Sequence, residues 1–292
     1  MTLKEILTIT GQELENKKIE QPYKEAIALI SLVTNFNESE IISNYQTIIN
    51  PLLEKRIKQL TKKRIQGWSL ACLKGRKSFY NLDFIVDKNT LIPRPESELI
   101  IDNVIKEKID DKKNIIIDVG TGSGCLIISL ANIFRTKKNI SFYATDTSQK
   151  ALDIAKINAK NYKLKIKFFK GNLLKPLLEK DSKKFPNNAQ IIILANLPYL
   201  TKAEIKNSPS IKKEPFKALY GGSDGLNLHR QLLDQVIKLK NKKNEIILYQ
   251  EINNEQKTEM EKIITNKLNN FKPQINIIKD LNNYNRLIIT RF

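Results

Sequence analysis

The run IIILANLPYL, residues 191–200, carries five apolar residues straight into Asn196 and then breaks at Leu197, Pro198 and Tyr199. A mere strand-ending turn explains the proline but not the carboxamide. The Asn196 side-chain oxygen and the Leu197 backbone carbonyl are both hydrogen-bond acceptors, and two acceptors about a planar gap can hold an NH2 group. Pro198 limits the backbone, and Tyr199 offers a flat face to a planar substrate. The chemistry such a corner suits is alkylation of an amide nitrogen, whose lone pair is delocalised into its carbonyl. That nitrogen needs alignment more than a strong base, and positioning contributes several kcal/mol of barrier reduction. The two acceptors also favour the positive charge that develops on nitrogen.

A second chemical signal lies in IIIDVGTGSGCLIISLA, where Gly120, Gly122 and Gly124 stand between an apolar run and a helical pattern. Glycines there permit a tight turn and a close approach of a ligand to the backbone, at the carboxyl end of a strand, where open α/β sheets bind ligands. A dinucleotide fingerprint would put a sixth-position glycine where Cys125 stands, and a phosphate-binding loop would need Gly-Lys-Ser/Thr, so the spacing points to a nucleoside without a pyrophosphate. Asp146 ends the next apolar run, FYATD, where a carboxylate can accept from both ribose hydroxyls. Its competing role is to cap the helix SQKALDIAK, which Thr147 or Ser148 can also do. Asn172 and Leu173 follow the third run and suit the edge and the face of an adenine. Together these positions describe a pocket for S-adenosylmethionine.

The elements that must hold these residues are legible as an alternation. Candidate strands cover 114–119, 140–146, 165–171, 190–196, 245–251, 274–280 and 286–292, and the segments CLIISLANIF, SQKALDIAKINAKNY, LNLHRQLLDQVIKL and NEQKTEMEKIITNKL between them have helical spacing. Alternating β and α implies a mostly parallel sheet with helices on both faces. The short polar connection DLNNYN requires the last two strands to pair antiparallel. Asn196, ending a strand next to the first, then faces the same crevice as the glycine loop. Ahead of this region, residues 1–66 show helix periodicity only, with Pro22 and Pro51 placed to open helices. Three or four short helices in a small bundle fit it. Residues 67–92 alternate aromatic and polar side chains around turns and read as a β-hairpin joining the domains.

Composition bounds the remaining options. The 292 residues are 41% hydrophobic, with nine Tyr and eleven Phe, a globular rather than disordered balance. No apolar stretch approaches the roughly 20 residues that span a membrane, and the start MTLKEILTITGQELENKK has no signal-peptide core, so a cytoplasmic protein is expected. The two cysteines, Cys72 and Cys125, and the single His229 offer no metal-ligand spacing, and no metal is expected. His229 reads as a surface or interface residue. The net charge of +19 suits nucleic acid and equally a Lys-rich compositional bias. Direct nucleic-acid binding and the oligomeric state stay open, with a monomer as the default.

Several blocks then converge: TLIPRPESELII (90–101), DVGTGSGCLIISLA (118–131), ATDTSQKALDIAKINA (144–159), the NLPY corner (196–199) and EPFKALYGGSDGL (214–226). In this combination the chain resembles the protein-(glutamine-N5) methyltransferases that act on peptide chain release factors, the PrmC/HemK family. The resemblance runs from about residue 64 to the end, and the helical N-terminus fits it too. It implies a class I, Rossmann-like methyltransferase domain over 93–292, a hairpin linker over 67–92 and a helical domain over 1–66 that helps dock the release factor. The implied substrate is the glutamine of the factor's Gly-Gly-Gln loop, and the implied methyl donor is S-adenosylmethionine. Matched by position, Gly120, Thr121, Gly122, Ser123, Gly124, Asp146, Asn172, Leu173 and Asn196 hold the cofactor. Asn196, Leu197, Pro198 and Tyr199 bind the glutamine, with Asn196 and Tyr199 the catalytic pair. Arg94 and Glu96 shape the pocket rim or form an inter-domain salt bridge. Two positions depart from the family pattern: Leu197 replaces the first proline of Asn-Pro-Pro-Tyr, and Asn172 replaces an aspartate. The rival readings are glutamine methylation of a ribosomal protein, adenine-N6 methylation of DNA or RNA, and an inactive cofactor-binding scaffold.

Overall fold

The computed structural model describes residues 1–109, 113–180, 185–186, 188–208, 211–240 and 244–292. The chain divides into two units, Met1–Gly75 with Ser208–Lys213, and Arg76–Asn207 with Glu214–Phe292.

In the first unit, helices α1 (Leu3–Glu15), α2 (Pro22–Thr34), α3 (Glu38–Ser43), α4 (Pro51–Ile65) and α5 (Leu70–Lys74) follow one another. Their starts are written locally. Thr2 and Glu5 form a reciprocal capping box, as do Asn37 and Glu40. Pro22 and Pro51 occupy first-turn positions, where a missing N–H costs nothing. The apolar faces meet in a core of Leu3, Ile6, Leu14, Leu29, Ile30, Ile41 and Ile57, and Arg64 of α4 pairs with Glu25 of α2. The third helix is shorter than the pattern NESEIISNYQTII suggests, because Asn44 accepts the role of cap and ends it. Residues 70–74 are helical, so the expected hairpin is confined to β1 (Arg76–Phe79) and β2 (Leu82–Ile85).

The second unit continues with α6 (Glu98–Val104), β3 (Asn114–Val119), α7 (Cys125–Ile133), β4 (Ile140–Asp146), α8 (Gln149–Asn161), β5 (Lys167–Lys170), α9 (Lys175–Lys180), β6 (Gln190–Ala195), α10 (Lys202–Asn207), α11 (Asn227–Leu239), β7 (Glu245–Glu251), α12 (Lys257–Leu268), β8 (Gln274–Lys279) and β9 (Asn285–Arg291). Seven strands form one sheet in the order β5-β4-β3-β6-β7-β9-β8. Its first five members are parallel, and β9 runs antiparallel to both β7 and β8. Strands β3 and β6 are buried along their whole length, as near-continuous Ile/Leu runs covered on both faces must be. The strand order reverses between them, which opens a crevice beyond their carboxyl ends. The chain is thus an α/β protein with a mostly parallel sheet and a C-terminal antiparallel hairpin.

The β1–β2 hairpin is tied to this sheet unit by Asn158 of α8, which exchanges hydrogen bonds with both backbone groups of Ile85 and donates to the Ser123 carbonyl at 2.9 Å. One reading is corrected: His229 is not at the surface but fully buried, its Nδ1 2.9 Å from the Gln250 side chain of β7. The amphipathic face of α11 turns it inward, and burial pushes its imidazole down to about 4. None of the helices among the described residues is long and apolar enough to cross a membrane.

Candidate active site

Asn196 follows directly on β6, and Glu251 ends the adjacent parallel strand β7, so register alone brings both to the carboxyl edge of the sheet. The Asn196 side-chain NH2 donates to Ser97 Oγ at 2.7 Å. Ser97 Oγ in turn donates to Glu251 Oε2 at 2.6 Å, and the Tyr199 hydroxyl reaches Glu251 Oε1 at 3.3 Å. Ser97 is 1% exposed and Glu251 2%. Burial lifts the Glu251 carboxyl to about 7, against the pull of the Ser97 hydrogen bond and the Arg286 charge. Burial also pushes the Tyr199 hydroxyl upward, reinforced by Glu251.

Across the crevice, the loop after β3 turns through left-handed conformations at Gly120, Gly122 and Gly124. A Cβ at Gly122 would enter open space, so the loop backbone lies bare there; at Gly124 it would come within 2.7 Å of Ile128 Cδ1 and 3.2 Å of Ala155 Cβ. Gly124 is therefore demanded by helix packing, and Gly122 leaves room for a ligand. Asp118 accepts from Thr121 Oγ1 at 2.6 Å beneath the loop, and burial raises its carboxyl to about 7. Asp146 accepts from the Gly122 N–H at 3.0 Å through one oxygen and from the Ser148 N–H at 2.7 Å through the other. The cap of α8 is Ser148, whose side chain accepts from the Ala151 N–H. Asp146 is thereby left with unused lone pairs for a ligand's hydroxyls.

A cavity of about 700 Å3 joins these parts. Its wall includes Gly120, Gly122, Asp146, Asn172, Leu173, Asn196, Leu197 and Pro198, together with Lys88, Phe216 and Tyr220, which sequence reasoning did not single out. Leu173 adopts a left-handed φ of 52°, a conformation that costs a leucine roughly 1–2 kcal/mol and that collects at binding sites. Asn172 donates to Gln231 Oε1 at 3.2 Å. The bare backbone at Gly122, the spare carboxylate acceptors of Asp146 and the apolar Leu173 fit the ribose and the adenine face of S-adenosylmethionine.

Six expected site residues stand elsewhere. Among the described residues, Thr121, Ser123 and Gly124 shape the loop from behind the wall, and the Tyr199 ring is not on it either. The Tyr199 hydroxyl is turned to Glu251. Arg94 and Glu96 also lie off the wall. Arg94 forms an ion pair with Glu214, whose other oxygen accepts from the Ile92 N–H at 3.2 Å, so the bridge clamps two loops of one unit together. The block EPFKALYGGSDGL has a similar supporting part. A Cβ at Gly225 would lie 2.0 Å from the Tyr199 carbonyl, and one at Gly221 2.3 Å from that of Pro198. Only glycines let this loop press against the corner. Ser97 and Glu251 are the polar residues that sequence reasoning missed; the available signal was an acid closing the apolar run EIILYQE.

The "Methyltransferase domain" family matches residues 110–289 and the "PrmC N-terminal domain" family residues 5–75. The release factor glutamine methyltransferase of Dictyoglomus turgidum is 35% identical over 237 residues, 79% of this chain and 79% of that protein. That of Bacillus anthracis is 32% identical over 72% of this chain and 73% of its own length. That of Rhodopirellula baltica is 29% identical over 98% of this chain and 95% of its own. Among solved structures, the catalytic domain of hMettl16 superposes with a TM-score of 0.52 at 18% identity, covering 72% of this chain and 75% of that one, a likeness of fold.

Proposed function

The chain belongs to the release factor glutamine methyltransferase family, and from that premise we propose that it methylates the side-chain amide nitrogen, N5, of the glutamine in the Gly-Gly-Gln loop of peptide chain release factors. The observation that carries this reading is that the Asn196-Leu197-Pro198 corner and the Gly120, Gly122 and Asp146 group line one cavity. S-adenosylmethionine, when bound, supplies an electrophilic methyl group. The chain's own residues do the rest. Gly120, Gly122 and Asp146 hold the nucleoside, with Asn172 and Leu173 at the adenine. Asn196 Oδ1 and the Leu197 carbonyl accept from the substrate's NH2, which orients the nitrogen lone pair and offsets the charge that grows on it. The methyl group would pass from sulfur to the nitrogen so aligned, S-adenosylhomocysteine would leave, and the nitrogen proton would go to water. Tyr199 braces the corner through Glu251.

The Leu197 departure leaves this clasp intact, because a leucine retains the carbonyl. Its side chain is buried, with Cδ2 3.2 Å from where a Cβ on Gly120 would lie, and so braces the corner against the cofactor loop. On this reading the helical segment 1–66 serves to dock the release factor, and the protein works in the cytoplasm. The assignment is tested by incubating the protein with methyl-labelled S-adenosylmethionine and, separately, a release factor, ribosomal protein and DNA. Label is expected in the release factor, on its glutamine. Label in the ribosomal protein or the DNA alone would overturn the substrate.

A further inference from the structure

Resting on the reading of Asn196 as the clasp for a substrate amide, we propose that Ser97 and Glu251 are positioning residues that fix which end of the Asn196 carboxamide faces the cavity. A carboxamide is nearly symmetric in outline but opposite in function at its two ends: the oxygen accepts and the NH2 donates. A half-turn of the group would present donors to the substrate's own NH2 and abolish the clasp. The fold contains a device against that half-turn. Asn196 Nδ2 donates to Ser97 Oγ at 2.7 Å, and Ser97 Oγ lies 2.6 Å from Glu251 Oε2. With Glu251 ionised, its carboxylate only accepts, so the single hydroxyl hydrogen of Ser97 is committed to it; because burial lifts this carboxyl to about 7, the device is engaged above that pH, where the measurements below are made. Ser97 Oγ is then left with lone pairs alone toward Asn196, and only the NH2 end of the carboxamide satisfies it. In the reversed orientation two acceptor oxygens would face each other. Ser97 and Glu251 are 1% and 2% exposed, too enclosed for bulk water to relieve such a clash.

The supporting geometry is spread along the chain. Ser97 comes from the segment that opens α6, Glu251 from the end of β7 and Asn196 from the end of β6. The Tyr199 hydroxyl occupies the second oxygen of Glu251 at 3.3 Å, which holds the carboxylate from its other side. The polarity of the chain is uniform: Asn196 donates to Ser97, Ser97 to Glu251, and Tyr199 to Glu251. Its free end is Asn196 Oδ1, the atom the chemistry requires as an acceptor.

Ser97→Ala removes the acceptor, Ser97→Cys fills the same space with a weak one, and Ser97→Thr restores a hydroxyl. Three quantities are read for each: the single-turnover rate on a release factor, the cofactor affinity, and the solvent exchange of the Asn196 side-chain NH2, followed by NMR with 15N-asparagine. Alanine and cysteine are expected to slow turnover by about 10²-fold, the scale of a small misplacement of a reacting group, with unchanged cofactor affinity and faster NH2 exchange. Threonine is expected to recover both rate and protection. Wild-type turnover in folded Ser97→Ala or Ser97→Cys, or unaltered NH2 protection in them, would overturn the proposal. If the alanine variant does not fold, the cysteine variant decides. Because exchange and cofactor affinity are measured without protein substrate, they decide the anchoring of Asn196 even where wild-type protein leaves the release factor unmethylated, an outcome that counts against the substrate assignment alone.

Discussion

Asn196→Ala lowers the rate of methyl transfer by about 10²–10³-fold, the loss seen when one preorganised group aimed at developing charge is removed, or about 3–4 kcal/mol. The side-chain oxygen is the half of the clasp that a mutation can delete; the Leu197 carbonyl remains but cannot orient an NH2 group by itself. The variant also leaves Ser97 Oγ without the donor it now has at 2.7 Å, a smaller cost because the residue keeps its bond to Glu251. The sheet is not expected to suffer, since Asn196 follows the last paired residue of β6. Cofactor affinity should therefore stay close to wild type while single-turnover rates collapse. Calorimetric titration with the cofactor and rapid-quench kinetics on a release factor separate the two quantities. Equal turnover in mutant and wild type would remove Asn196 from the reaction.

Asp146→Ala is expected to weaken S-adenosylmethionine binding by roughly 10- to 100-fold, the equivalent of one or two hydrogen bonds to a charged group. Two effects combine. The ribose hydroxyls lose their acceptor, and the N–H groups of Gly122 and Ser148 lose theirs, so the glycine loop and the start of α8 are no longer held to one another. Burial raises the Asp146 carboxyl above its ordinary value, while the backbone N–H groups of Ser148, Gly122 and Thr147 pull it back. The site thus favours donors that approach the carboxylate. Asp146→Asn keeps one acceptor oxygen and should lose less. Titration of both variants with the cofactor checks the order; unchanged affinity in the alanine variant would refute the ribose assignment.

Much of the positioning framework was readable from local pattern. The runs at 114–119, 140–146 and 245–251 form strands with those bounds, because each is an apolar stretch bounded by polar or turn residues. The glycine loop and the Asn196 corner met in one cavity because the chain reverses its strand order between β3 and β6. What was not legible is what depends on partners far away in sequence. Ser97 and Glu251 are 154 positions apart and join only through the fold. The helical spacing of His229 with Leu232, Leu233 and Val236 does place it on the apolar stripe of α11, a signal that the surface reading of LNLHRQLLDQ overlooked. Arg94 is expected either at a pocket rim or in an inter-domain salt bridge; it forms an ion pair, but with Glu214, 120 residues on and in the same unit. Tyr199 is expected to offer its ring to the substrate, and local pattern does not show that a buried carboxylate holds its hydroxyl. Side-chain direction at a corner follows from such polar partners, which periodicity does not encode.

The central claim is geometric, and it is met most directly by a crystal structure of the protein with S-adenosylhomocysteine and a peptide carrying the Gly-Gly-Gln loop. The account predicts the glutamine side-chain nitrogen within hydrogen-bond distance, about 3 Å, of both Asn196 Oδ1 and the Leu197 carbonyl, with its free side toward the cofactor sulfur. A bound glutamine held by other groups, with Asn196 Oδ1 turned to Ser97 and its NH2 toward the peptide, would contradict it.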